Sequence, residues 1–229
     1  QAFVPAVPDQ RSRVFGAVLG AAVGDALGHP TEFLSHDGIT RTFGPSGVSG
    51  FELWWTRDTH RFAPYTDDTQ LAEIVLRALV QHADSPGSLD AVMEAIAAGV
   101  AKWSEQPQGG HRAPGNACLA GAKQLRAGVP WRQAGGPNAG GCGSVMRAYP
   151  FGLLLRHDVA RAEQWAVEHS RMTHQAPIAL AACAAMAVGV AGEVRGDAPG
   201  EVLTEMVEAA GRYDAGTARM AEEALAEVS

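Results

Sequence analysis

Thr66, Asp67 and Asp68, within Tyr65-Thr66-Asp67-Asp68-Thr69, set three oxygen-bearing side chains side by side ahead of an apolar helical pattern. A single capping residue, Thr66 or Asp67, accounts for an ordinary helix start, where the helix dipole favours negative charge. Two adjacent carboxylates beside a hydroxyl repel one another unless a cation or solvent screens them. Hard divalent cations take six or more oxygen ligands, often carboxylates completed by water. Capping and cation binding both stand as readings of these three residues.

Further candidates lie on either side. Asp25 and Glu32 fall in Gly24-Asp25-Ala26-Leu27-Gly28-His29-Pro30-Thr31-Glu32-Phe33, where a helix ends and a loop begins. A carboxylate inside an otherwise apolar helix, as at Asp25, needs a partner or a metal, whereas Glu32 reads equally well as an exposed loop acid. Gly140-Gly141-Cys142-Gly143-Ser144-Val145-Met146-Arg147 is a glycine-rich turn leading into a short helix that is expected to end near Pro150. Backbone amides bared at such a turn suit phosphate oxygens, although the segment matches neither a Walker A motif nor a dinucleotide fingerprint. Cys142 at that turn could act as a nucleophile, but nothing local joins it to His111, His169 or His174. His174, just ahead of an alanine-rich helix, could cap that helix or touch a ligand.

These residues must be held by helices. Alanine supplies 42 of the 229 residues and Arg outnumbers Lys 16 to 2, which favours helix over strand. Leu71, Ile74, Val75, Ala78 and Leu79 mark one face of a helix over 69–82. Leu89, Val92, Met93, Ile96, Val100 and Trp103 repeat the period, with Ser88 as an N-cap. Asp158 caps a helix carrying Ala162, Trp165 and Ala166, and Pro199 opens another carrying Val202 and Met206. Glycines 16, 20, 24 and 28 fall near one face of the first helix, a spacing that invites close approach of a neighbouring backbone. The stretch from 29 to 66 reads as a long functional loop, with Phe51–Trp55 the nearest thing to a strand. A single all-α domain over 1–229 is the simplest organisation.

Composition narrows the function. A net charge of −7 argues against a general nucleic-acid binder, and nine of the 25 acids fall after residue 192, as on a solvated helical face. Three widely spaced cysteines do not make a disulfide framework. Residues 1–10 hold two prolines and no apolar core of a signal peptide. The uncharged run 175–192 is rich in Ala and Gly, which fits a buried core helix better than a membrane span. A cytoplasmic protein that does not enter a membrane is expected.

Five stretches together resemble the ADP-ribosylglycohydrolase family, the group that includes the dinitrogenase-reductase-activating glycohydrolases. They are GAVLGAAVGDALGHPTEF (Gly16–Phe33), YTDDTQLA (Tyr65–Ala72), RAPGNACLAGAKQL (Arg112–Leu125), GCGSVMRAYPFGLL (Gly141–Leu154) and SRMTHQAPIALAACA (Ser170–Ala184). Any one is unspecific, but the five in this order over roughly residues 12–190 are not.

The resemblance implies a compact orthogonal multi-helix all-α fold and a binuclear Mg²⁺ or Mn²⁺ centre at the base of an ADP-ribose cleft. It implies hydrolysis of the N- or O-glycosidic bond joining ADP-ribose to a modified side chain or other acceptor. It assigns Thr66, Asp67 and Asp68 to the metals, and Glu32, Asp67 and Asp68 to catalysis. Gly141, Cys142, Gly143, Ser144, Met146 and His174 would bind ADP-ribose. Oxygen ligands suit these hard ions, and nearby negative oxygens suit an oxocarbenium-like transition state.

The family also draws metal ligands from a late Asp-Thr-Asp-Thr-type segment. The acids after Ala191 are scattered, and the pattern at 219–228 is still in helical period where the sequence stops. The missing segment is therefore expected beyond Ser229. A chain lacking it would instead be a non-catalytic relative that binds ADP-ribose or serves structurally.

Overall fold

The computed structural model describes residues 9–55, 61–82, 84 and 88–227. It is all-α. Among the described residues there are ten α-helices and one antiparallel ladder of two residues per strand, β1 (Trp54–Trp55) with β2 (Arg61–Phe62). Two compact units divide the chain, Gln1–Thr69 and Gln70–Ser229.

The first unit opens with α1 (Gln10–Gly28), whose N-cap Asp9 accepts a 2.7 Å hydrogen bond from the Ser12 amide. The glycine stripe of α1 does not do what its spacing suggests. A Cβ added at Gly16, Gly20, Gly24 or Gly28 would meet nothing within 4 Å among the described residues, so within the first unit the stripe is not used for close packing. The stretch after α1 is also more ordered than a loop. A 3₁₀ turn (His29–Thr31) and α2 (His36–Phe43) come before the ladder, with the Ser35 hydroxyl capping α2 at the Gly38 amide. Helix α2 escapes periodicity because it is only eight residues long and contains Gly38, Thr40 and Thr42, all poor helix formers. The stretch nearest to a strand in sequence, Phe51–Trp55, forms one only at Trp54–Trp55, whose side chains lie outside the described residues.

The second unit holds the hydrophobic core. α3 (Asp67–His82) begins at the unit boundary and runs into it, followed by α4 (Ser88–Glu105) and α5 (Asn116–Arg126). The predicted faces are the buried ones: Leu71, Val75 and Leu79 on α3, and Val92, Met93, Ile96, Val100 and Trp103 on α4, are at most 4% exposed. Ser88 is the first residue of α4, and its side chain lies outside the described residues.

A 3₁₀ turn (Val145–Arg147) leads into α6 (Tyr149–Leu154), in which Pro150 sits in the first turn. The proline therefore starts a helix where the sequence suggested an end, because the first turn has no intrahelical acceptor for its missing N–H. α7 (Val159–Ser170) is capped by Asp158 at the Arg161 amide, as expected. α8 (Pro177–Arg195) is long and apolar enough to cross a bilayer, with mean hydropathy 1.8. Most of that stretch is nevertheless buried, packed against α6, α7, α9 (Pro199–Gly211) and α10 (Ala215–Glu227), as a core helix requires. Gly196, at φ +86°, closes α8 in the left-handed conformation that glycine adopts without strain.

Candidate active site

The acid cluster lies in the first unit, and Asp25 organises it. From near the end of α1 the Asp25 carboxylate accepts hydrogen bonds from the amide and hydroxyl of Thr66, both at 2.8 Å. It also accepts from the amide and hydroxyl of Thr69, at 3.2 and 2.6 Å. The partner that a carboxylate in an apolar helix requires is thus the N-terminus of α3, which Asp25 caps from a distant point in sequence.

This leaves the Thr66 oxygen with defined capacity. Its proton goes to Asp25 Oδ1, one lone pair receives the Asp68 amide at 3.3 Å, and one lone pair remains. Thr66 and Asp67 are buried, 6% and 4% exposed. Burial pushes the Asp68 carboxyl up to about 6; the negative charges of Asp25 and Glu32 add to this and the Thr66 hydroxyl opposes it. Glu32 is exposed and stands 3.7 Å from His29 Nδ1.

The donor set consists of hydroxyl and carboxylate oxygens, the chemistry that Mg²⁺ and Mn²⁺ select. A divalent cation would offset both the burial and the neighbouring negative charges that hold Asp68 toward its protonated form. No three His, Cys, Asp or Glu side chains among the described residues converge closely enough to hold an ion alone. Thr66, Asp67 and Asp68 therefore fit as part of a coordination shell, with water or substrate oxygens filling the rest.

The glycine-rich turn and His174 lie in the second unit, where the structure brings them together. A Cβ on Gly143 would fall 2.7 Å from Cys118 Sγ and 2.8 Å from His174 Cε1, so the turn passes the imidazole too closely for any side chain. Gly141 and Cys142 are exposed, while Met146 packs half-buried against the core. Cys142 makes no hydrogen bond to a histidine among the described residues.

Ser144 is fully buried, and its hydroxyl points inward. The Ser170 hydroxyl donates to the His174 carbonyl at 2.9 Å, so Ser144, 2.8 Å from Ser170, donates to it in turn. The Cys183 thiol donates to Ser144 at 3.4 Å. His174 is 2% exposed and does not cap α8, whose N-cap is Ala176 without a side-chain bond. A parallel bridge to Gly136 fixes its backbone. Burial, reinforced by the Arg147 charge, lowers the His174 imidazole to about 4.

Several residues that matter to this geometry gave little signal in sequence. Thr69 shares the Asp25 cap, one position past the acids. Gln70 donates to the carbonyls of Gln108 and Gly110, at 2.8 and 3.1 Å, and accepts from the Trp103 indole at 3.0 Å, tying down the loop that leads to α5. Arg147 is fully buried with Thr173 at 2.7 Å, and among the described residues it makes no ion pair. Each could have been suspected only from standing beside a motif residue.

The all-helical fold, the oxygen cluster at the start of α3 and the glycine turn against His174 accompany a match over nearly the whole chain. The protein belongs to the ADP-ribosylglycohydrolase family, whose sequence profile matches residues 6–229. Among its relatives, an ADP-ribosyl-[dinitrogen reductase] glycohydrolase of Rhodospirillum rubrum is 31% identical over 180 residues, covering 77% of this chain and 56% of that protein. The ADP-ribosylarginine hydrolase Tri1 of Pseudomonas putida is 30% identical, covering 79% of this chain and 46% of the relative. An uncharacterized protein of Archaeoglobus fulgidus is 28% identical, covering 86% and 61%. The chain spans 46–61% of the length of these relatives.

Proposed function

We propose that this protein hydrolyses the glycosidic bond between ADP-ribose and a modified acceptor, in a reaction that requires Mg²⁺ or Mn²⁺. The observation that carries this reading is the crowding of Thr66, Asp67 and Asp68 at a helix start that Asp25 already caps. Capping accounts for one acid at such a place, and here Asp25, an acid from another helix, does that work, so capping does not explain why two further carboxylates follow Thr66.

Thr66 (through its remaining lone pair), Asp67 and Asp68 would hold the ions. Bound divalent cations polarise the oxygens they touch and neutralise charge that builds up on them. Glu32, an exposed carboxylate, would accept a proton from an attacking water. The carboxylates also favour positive charge developing at the anomeric carbon. In the second unit, the main-chain amides of Gly141, Cys142 and Gly143 would face the phosphates. Ser144 would contribute only its backbone, since its hydroxyl is used internally, and Met146 would lend apolar surface.

Release of ADP-ribose from ADP-ribosylated arginine, serine and O-acetyl substrates, with Mg²⁺, Mn²⁺ or EDTA, tests the proposal. Activity should require the metal, and Asp67→Ala with Asp68→Ala should lower it by about 10²-fold or more, the scale at which a group stabilising transition-state charge is felt. Undiminished turnover by that double variant, with its helical circular dichroism intact, overturns the assignment. Stabilisation by ADP-ribose without product release, in wild type, would mark a binding protein instead.

A further inference from the structure

Arg147 is a fully buried guanidinium that donates to two neutral groups, Thr173 Oγ1 at 2.7 Å and Cys118 Sγ at 3.8 Å. An arginine can only donate, so the 2.7 Å contact occupies a lone pair of the Thr173 hydroxyl. That hydroxyl is itself fully buried and must place its one proton. The acceptor within reach is His174 Nδ1, at 2.8 Å. Were Nδ1 protonated instead, the threonine would receive two hydrogen bonds and its own proton would face none of these groups, a costly arrangement in a dry interior.

We infer that Thr173, its hydroxyl oriented by Arg147, is a positioning residue that fixes His174 as the neutral tautomer with its proton on Nε2. The Nε2–H then points toward the glycine turn: a Cβ on Gly143 would lie 3.2 Å from Nε2 and one on Gly141 3.9 Å. The turn thus gains a side-chain donor of fixed direction beside its backbone amides. Such a donor suits an anionic phosphoryl oxygen, which accepts hydrogen bonds and offers none. The low basicity of His174 is consistent with this, because a neutral ring is the form in which tautomer choice matters.

The functional part of this inference rests on the ADP-ribose reading, whereas the tautomer does not. Long-range ¹H–¹⁵N spectra of the ¹⁵N-labelled full chain at pH 7, with His174 assigned through His174→Gln, read the tautomer directly. Wild type should show an unprotonated Nδ1 and a protonated Nε2. Thr173→Val should release that preference and weaken ADP-ribose binding about tenfold, equivalent to one lost hydrogen bond. Thr173→Ser, which keeps the hydroxyl, should restore both. A wild-type Nδ1–H tautomer overturns the inference, and so does a Thr173→Val protein that keeps the wild-type tautomer and affinity. An Nε2–H tautomer in a wild-type protein that does not bind ADP-ribose supports the positioning role and removes the ADP-ribose reading.

Discussion

Asp25 accepts four hydrogen bonds from Thr66 and Thr69 at the start of α3. Asp25→Ala should therefore cost about 2 kcal/mol of stability, from a lost cap and charge-assisted hydrogen bonds. It should also weaken Mn²⁺ binding, because Thr66 loses the acceptor that aims its lone pair; urea melts and calorimetric titration measure the two effects. Asp25→Asn should fare little better, since its NH₂ would face N–H and O–H donors.

The buried histidines set the response to acid. Burial, with the Arg147 charge, lowers His169 to about 3, and His174 falls to about 4. Both are neutral in the folded chain above these values, whereas the unfolded chain takes up protons below about 6.5. Unfolding is therefore favoured as pH falls from about 6.5 toward 4, and stability is regained as pH rises. Urea midpoints should drop across that range, and His169→Phe should flatten the drop. His169 packs 4.8 Å from the Phe151 ring, an environment that tolerates an aromatic replacement.

At the level of elements, the two glycine-rich segments make opposite predictions. Gly143→Ala forces a methyl into Cys118 and His174 and should destabilise by about 1–3 kcal/mol while abolishing ADP-ribose binding. Gly20→Ala on α1 meets empty space in a helical conformation and should stabilise by about 0.5–1 kcal/mol, seen as a higher Tm. Sequence spacing alone treats the two segments alike, because it records where small residues recur and not what lies opposite them.

The apolar faces of α3, α4 and α7 were legible for the converse reason. Burial of Leu71, Met93 or Trp165 is imposed by the helix's own period, whatever its partner. The acids, the glycine turn and His174 could be named from their residue types and order. The Asp25 cap and the Thr173 contact could not, since they join positions brought together only by folding or decided by hydroxyl direction. Pro150 is ambiguous in sequence because proline both ends helices and begins them, and here it begins one.

Across the whole molecule, burial is unequal. Among the described residues of the first unit, Ala26 is the buried hydrophobic residue, while the second unit contains both hydrophobic clusters. Amide hydrogen exchange should therefore be slowest in α4 through α9 and faster in α1 and α2, which can open locally without disturbing a core. Mn²⁺ should slow exchange at the Thr66–Thr69 amides well beyond any change in α9, because an ion that binds only the folded arrangement stabilises the segment holding it. Uniform slowing across the chain would contradict binding at that place.

Cys142 is exposed in the glycine turn, while Cys118 and Cys183 are 1% and 0% exposed. Under native conditions a maleimide dye therefore has a single address, next to Gly141 and Gly143. A fluorophore attached there would test the proposed ADP-ribose docking in real time, with the two interior thiols silent until the chain is denatured.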